Sequence, residues 1–234
     1  MITQHAPRIH TATARSAAGG ASRSSDNAPG AAHERVYRSL RTKVMHGELE
    51  PGQSMTLRGI GADFGVSMTP AREAVRRLAA EGALVMSGSG RISTPALSND
   101  RIEELAAIRA LLEPELASRA LPRAHLALID RLQTINSLNA DSVARGDAVG
   151  YIRTNLEFHR TLYLRAQAPA ILALVETVWL QLGPTMRALY GRLRRGTAPP
   201  HHRMIIAALK AGDEPALRLA LRADVTQGLR HLLV

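Results

Sequence analysis

Residues 65–82 read GVSMTPAREAVRRLAAEG. Gly65 and Val66 supply a turn, and the run after them has helical spacing. Ala71, Val75, Leu78 and Ala79 fall on one face, while Thr69, Arg72, Arg76 and Arg77 lie off it. Thr69 is placed to cap this helix, with Pro70 at its first position, where a missing N–H costs nothing. Gly82 ends it. A turn feeding a short helix, apolar on one side and basic on the other, is how side chains are carried into the major groove of DNA. The start of such a helix offers free N–H groups to phosphate. An arginine one turn in, here Arg72, can fork onto guanine O6 and N7. A surface helix with solvated arginines is the alternative reading.

The flanks decide between the two. Upstream, ERVYRSLRTKVMH (34–46) puts Val36, Leu40, Val44 and Met45 on one helical face. Pro51-Gly52 makes a turn, and LRGIGADF (57–64) forms a short second helix that its two glycines weaken. Downstream, ALVMSGSGRISTPAL (83–97) reads as two short strands around a Gly-Ser turn. Three helices and a β-ribbon in this order predict a winged helix-turn-helix over 33–95.

From 98 to 234 the pattern is helical throughout. Helices are expected near 99–120, 123–145, 147–166, 169–194, 199–211 and 213–232, punctuated by Asp147, Pro169, Pro199-Pro200 and Gly212-Asp213. Pro184 should kink or break the fourth of these. The fold class expected is therefore mainly α, a winged helix-turn-helix followed by an all-helical bundle with room between helices for a small ligand.

Composition agrees. Hydrophobic residues make up 45% of the 234, enough for packed cores, and aromatics only 3%, which favours helix over sheet. The net charge of +10 suits a polyanionic partner, although it is spread along the chain. The absence of cysteine excludes disulfides, thiolate nucleophiles and zinc ribbons. No apolar run approaches the roughly 20 residues that span a bilayer, so no membrane partner and a cytoplasmic, nucleoid-associated place are expected. Residues 1–32, rich in Ala, Ser and Gly, read as a disordered tail.

The run HGELEPGQSMTLRGIGADFGVSMTPAREAVRRLAAEGALV (46–85) resembles the N-terminal domain of the GntR family of bacterial transcription regulators. That family shows a Gly-x-Leu-x-Pro-Gly turn, then Gly-Val-Ser-Arg-Thr-Pro-Val-Arg-Glu-Ala, then a glycine-containing wing. The likeness covers about 34–95. By position it implies that Arg58, Ser67, Thr69 and Arg72 contact an operator, with Gly88 to Arg91 as wing tip and Gly90 and Arg91 at the minor groove. The chain departs from the pattern at Met68, where the family has Arg. A guanidinium contact is replaced by an apolar one, suited to a thymine methyl.

The C-terminal half is similar to the ligand-sensing domain of the FadR subgroup, of the metal-binding FCD type. IEELAAIRALLEPELASRA (102–120), NLEFHRTLY (155–163) and HHRMIIAALKAGDEPALRLALRAD (201–224) carry that likeness. It implies a divalent metal, zinc, nickel or manganese, on Asn155, His159, His202 and Asp224. The family has Asp or Asn, then three His, so this chain trades one imidazole for a carboxylate with a shorter reach. Asn155 and His159, four apart, share a helix face. Two imidazoles and a carboxylate would suit a divalent ion. The other reading makes His159 a hydrogen-bonded core histidine and His202 a polar helix-start residue. Arg109 faces the ligand cavity in relatives and would clamp an organic or sugar acid. It also stands four before Glu113, the spacing of a solvated salt bridge.

These features predict a homodimeric, ligand-responsive regulator and not an enzyme: no nucleophile–base pair and no His-Glu-x-x-His occurs in the sequence. Repression is the family's common sign. An architectural DNA-binding dimer without effector and a metal-dependent helical enzyme with a basic accessory domain are the competing readings.

Overall fold

The computed structural model describes residues 29–88, 90–193 and 200–230. Most of the expected tail lies outside them.

The first helix, α1 (Pro29–Met45), starts upstream of the expected His33. It buries Val36, Leu40 and Val44. Strand β1 (Ser54–Met55) follows, then α2 (Leu57–Phe64) and α3 (Met68–Ala80). The Thr56 hydroxyl accepts from the Gly59 N–H at 3.0 Å and so fixes where α2 begins. Gly65 ends α2 at φ 61°, a left-handed conformation that suits glycine at a C-cap. Helix α3 starts at Met68 with Ser67 before it, not at a Thr69 cap: the extended Ser67 backbone turns the chain, and its side chain makes no capping bond. Strands β2 (Val85–Met86) and β3 (Ile92–Ser93) complete the wing. The sheet order is β1-β3-β2, antiparallel, with Met55 and Met86 both opposite Ile92. Sequence reading missed β1, because two residues are too short to show alternation.

The bundle comprises α4 (Asn99–Ala120), α5 (Leu126–Arg145), α6 (Ala148–Tyr163), α7 (Pro169–Leu193), α8 (His201–Ala211) and α9 (Glu214–Arg230). Single 3-10 turns follow α4 and α6. Helix α7 runs unbroken through Pro184. The helix does not break at Pro184, and this stretch is held on several sides. Val178 and Leu182 pack with Ile102 and Leu105 of α4. Trp179 belongs to the main core of the bundle. Leu180, fully buried, completes the core of the winged domain. Burying a leucine of this kind contributes about 1.5–3 kcal/mol, comparable with the cost of about 3 kcal/mol for an interior proline.

Helix α7 also docks the two halves. A Cβ at Gly183 would lie 2.1 Å from the Val44 carbonyl oxygen, so only glycine permits this approach to α1. Gln181 donates from Nε2 to the Glu81 carbonyl at 3.1 Å and accepts from Arg101 at 2.9 Å. Arg187 donates to the Gly47 carbonyl at 3.2 Å.

Candidate functional site

Helix α3 buries Ala71, Ala74, Val75 and Leu78 against α1 and α2. That packing turns Met68, Thr69, Arg72 and Arg76 outward. Arg58, Ser67, Thr69, Arg72, Gly90 and Arg91 are all exposed. Arg58, Arg72 and Arg91 make no ion pair among the described residues. The wing turn is closed by Ser87, which accepts from the Gly90 N–H at 2.9 Å and, through its hydroxyl, from the Arg91 N–H at 3.1 Å. Arg91 and Gly90 line one cleft with Thr56 at the start of α2, so the wing stands beside the helix-turn-helix. Met68 is 51% exposed. An apolar side chain thus projects where the family's arginine would.

The three arginines of α3 differ in use. Arg77 lies over the Tyr37 ring, 3.6 Å from its centroid, and pairs with Glu34 at 3.0 Å and Glu81 at 3.5 Å. It fastens α3 to α1. Among the described residues, Arg76 pairs only with Glu73, at 3.8 Å, and Arg72 has no such partner.

In the bundle, His159, His202 and Asp224 come together from α6, α8 and α9, with one ligand atom of each within 4.8 Å of the others. His159 Nε2 lies 3.0 Å from Asp224 Oδ2. Yet Nε2 of His159 and Nε2 of His202 are both buried with no hydrogen-bond partner among the described residues. A close nitrogen–oxygen pair without hydrogen-bond geometry, plus a second orphaned nitrogen, is what converging ligands of one ion look like. Buried polar atoms left unpaired are otherwise costly. The shorter Asp224 does reach the cluster. These donors suit a divalent cation of borderline character.

The surrounding shell fixes the ring orientations. His202 stacks on Phe158, centroids 3.9 Å apart, and its Nδ1 meets Asn136 Oδ1 at 3.1 Å. Burial pushes the His202 imidazole down to about 4, so it is neutral and Nε2 keeps its lone pair once Nδ1–H donates to Asn136. His159 Nδ1 lies 3.2 Å from the Tyr163 hydroxyl, which donates to Glu113 Oε2 at 2.8 Å. Burial, then Glu113, raises the Tyr163 phenol well above its ordinary value. Tyr163 therefore keeps its proton for Glu113, and its oxygen accepts from His159 Nδ1–H. That tautomer aims a lone pair from Nε2 toward Asp224 and His202.

Glu113 is the hub. It is 0% exposed and also accepts from Trp179 Nε1 at 3.0 Å and from Arg109 Nε at 2.5 Å. Burial would raise its pKa, but the Arg109 guanidinium beside it wins and keeps it ionised. The i,i+4 pair of Arg109 and Glu113 thus forms, but in the interior rather than on a solvated face. Trp179 and Tyr163, brought from distant helices, cover it. Asn155 is buried one turn before His159. It lines, with Arg109 and Trp179, an internal cavity about the size of one water molecule. Tyr163, four residues after His159, was legible as a neighbour of the site from its spacing; nothing in the sequence pointed to Asn136 or Trp179.

Residues 104–227 match the FCD domain family, and residues 32–92 match the bacterial regulatory proteins of the gntR family. The chain is a GntR-family regulator with an FCD domain. It is 26% identical over 200 residues to the HTH-type transcriptional regulator McbR of Escherichia coli (strain K12), covering 84% of this chain and 90% of that one. It is 28% identical over 154 residues to the gluconate operon transcriptional repressor of Bacillus subtilis (strain 168), covering 66% of this chain and 61% of the repressor. The solved structure of E. coli McbR/YncC superposes with a TM-score of 0.76 at 26% identity, over 86% of this chain and 96% of that one. A GntR transcriptional regulator from Rhodococcus sp. RHA1 shares the fold, with a TM-score of 0.72 at 21% identity, over 86% and 97%. This GntR-family chain is accordingly a ligand-responsive, DNA-binding transcription regulator. Among the described residues, no helix is long and apolar enough to cross a membrane.

Proposed function

We propose that the protein represses transcription as a cytoplasmic homodimer on the nucleoid, and that a small organic or sugar acid relieves the repression. The winged unit, 33–95, reads a pseudo-palindromic operator, and the unit from 98 onward dimerises and binds the acid. Arg72 forks onto a base edge, Ser67 and Thr69 take phosphate or base contacts at the helix start, and Arg58 binds the backbone. Gly90 and Arg91 follow the minor groove. The observation that carries this reading is an exposed Arg72, free of ion pairs among the described residues, one turn into α3.

His159, His202 and Asp224 hold a divalent cation, zinc, nickel or manganese, with Asn155 as the fourth side chain. The two orphaned, buried Nε2 atoms support this. Such an ion offers open positions to an acid's oxygens. Effector and operator then act as linked ligands, each changing the affinity for the other by the same factor.

The test joins three measurements on full-length protein. Genome-wide mapping of bound DNA supplies an operator, and the effector is sought among substrates of neighbouring genes. Metal content after gentle purification is compared with His159→Ala/His202→Ala. Metal-free protein that gains no melting temperature from zinc, nickel or manganese would remove the cation from the scheme. Failure to bind any mapped site with preference over random duplex would remove the operator reading.

A further inference from the structure

We propose that the cleft where α1 meets α6 and α7 binds a small oxyanion carrying two or more charges, and that this ligand bridges the winged domain to the bundle. The cleft is separate from the His159–His202–Asp224 set and does not depend on whether that set holds metal. It measures about 290 Å³, close to the lower end of small-ligand sites at about 300 Å³.

Three guanidinium groups open onto it from two domains. Arg41 comes from α1, while Arg153 and Arg160 stand two turns apart on one face of α6. Arg153 is exposed and makes no ion pair among the described residues. Arg41 has its carboxylates at the margin of contact, Glu81 at 3.7 Å and Glu176 at 4.0 Å. Arg160 pairs with Glu176 at 2.9 Å. The other acid of the cleft, Glu157, is taken by Arg131 at 2.5 Å. Cationic donors therefore outnumber the carboxylates left to meet them. His46, partly buried on the same wall, adds a ring N–H.

The contrast with Arg109 gives the choice of ligand. Arg109 is saturated by Glu113, and the cavity beside it admits about one water. Arg153 and Arg160 face solvent, with the half-buried Arg41 beside them, around an apolar floor of Leu156 and Trp179. A singly charged ion would satisfy one domain's arginine. A dicarboxylate or a phosphate can engage Arg41 and Arg153 together, with charge-assisted bonds to both. Bound there, it would favour the docked arrangement of the two domains. It would also rest on Trp179, whose indole N–H reaches Glu113.

The experiment titrates succinate and inorganic phosphate, separately and at constant ionic strength, into full-length protein by calorimetry. Thermal melting is followed in parallel. Saturable binding of either anion is expected; a preference for succinate marks a carboxylate ligand, and a preference for phosphate marks a phosphoryl one. Arg153→Ser should weaken binding tenfold or more at unchanged melting of the unliganded protein. Arg41→Gln, in the other domain, should weaken it as well and guards against a folding defect in the first variant. His159→Ala/His202→Ala should bind like the parent. The proposal is overturned if neither anion binds saturably, if both arginine variants bind like the parent, or if the histidine variant alone abolishes binding.

Discussion

Arg72 and Arg109 are the same side chain put to opposite uses. On α3 the guanidinium is exposed and uncommitted, since the apolar face beneath it does all the packing. In the bundle the guanidinium is 5% exposed, and two of its nitrogens are spent on Glu113. A partner-reading surface keeps its charge available and contributes little to stability. A buried network spends its charge on itself, and its removal is felt by the whole fold.

The strongest test of this contrast is Glu113→Ala. It leaves the Arg109 charge buried without its carboxylate, which should cost about 3–5 kcal/mol, read as a shift in denaturant midpoint. A variant as stable as the parent would break the contrast. Next comes acid. In chelator-treated protein His202, held down to about 4, stays neutral while the unfolded chain takes up its proton near 6.5. The unfolded state then binds more protons, so the contribution is complete above about 6.5 and is lost as pH falls toward 4, by up to about 3 kcal/mol. Urea melts at several pH values should show a steep slope that His202→Asn flattens.

Tyr163→Phe sharpens the comparison further. It keeps the ring and removes the hydroxyl that orients His159, so zinc affinity by chelator competition should fall about 10–100-fold. Helix content should be unchanged. Arg72→Ala should cost about 1–3 kcal/mol in operator binding, measured by anisotropy, and relax one base preference with no loss in melting temperature. The smallest effect belongs to Arg77→Ala. Loss of its stacking on Tyr37 should lower stability by about 0.5–1 kcal/mol, with less effect on DNA affinity than Arg72→Ala.

Legibility differed between the two regions for the same reason. The helices near 57–64 and 68–81 show in local spacing, because their faces are decided by residues three and four apart. The turn chemistry around Gly65 is local as well. The burial of Arg109 and Glu113 is not: their spacing is that of any surface pair, and only Tyr163 and Trp179, far along the chain, make it a core pair. Likewise, His159, His202 and Asp224 lie far apart in sequence, so only a family resemblance could nominate them together. Pro184 does not break α7, because an intrinsic helix breaker says nothing of the packing that holds the helix on both sides.

Three successive residues of α7, Val178, Trp179 and Leu180, enter three separate hydrophobic clusters. The domain that reads DNA therefore borrows a leucine from far beyond its own end. Cut off near residue 95, it would carry a leucine-sized hole against α1, and it should melt earlier than it does in the intact chain. The intact chain should melt in one step, because neither half can let go of α7 without opening the other.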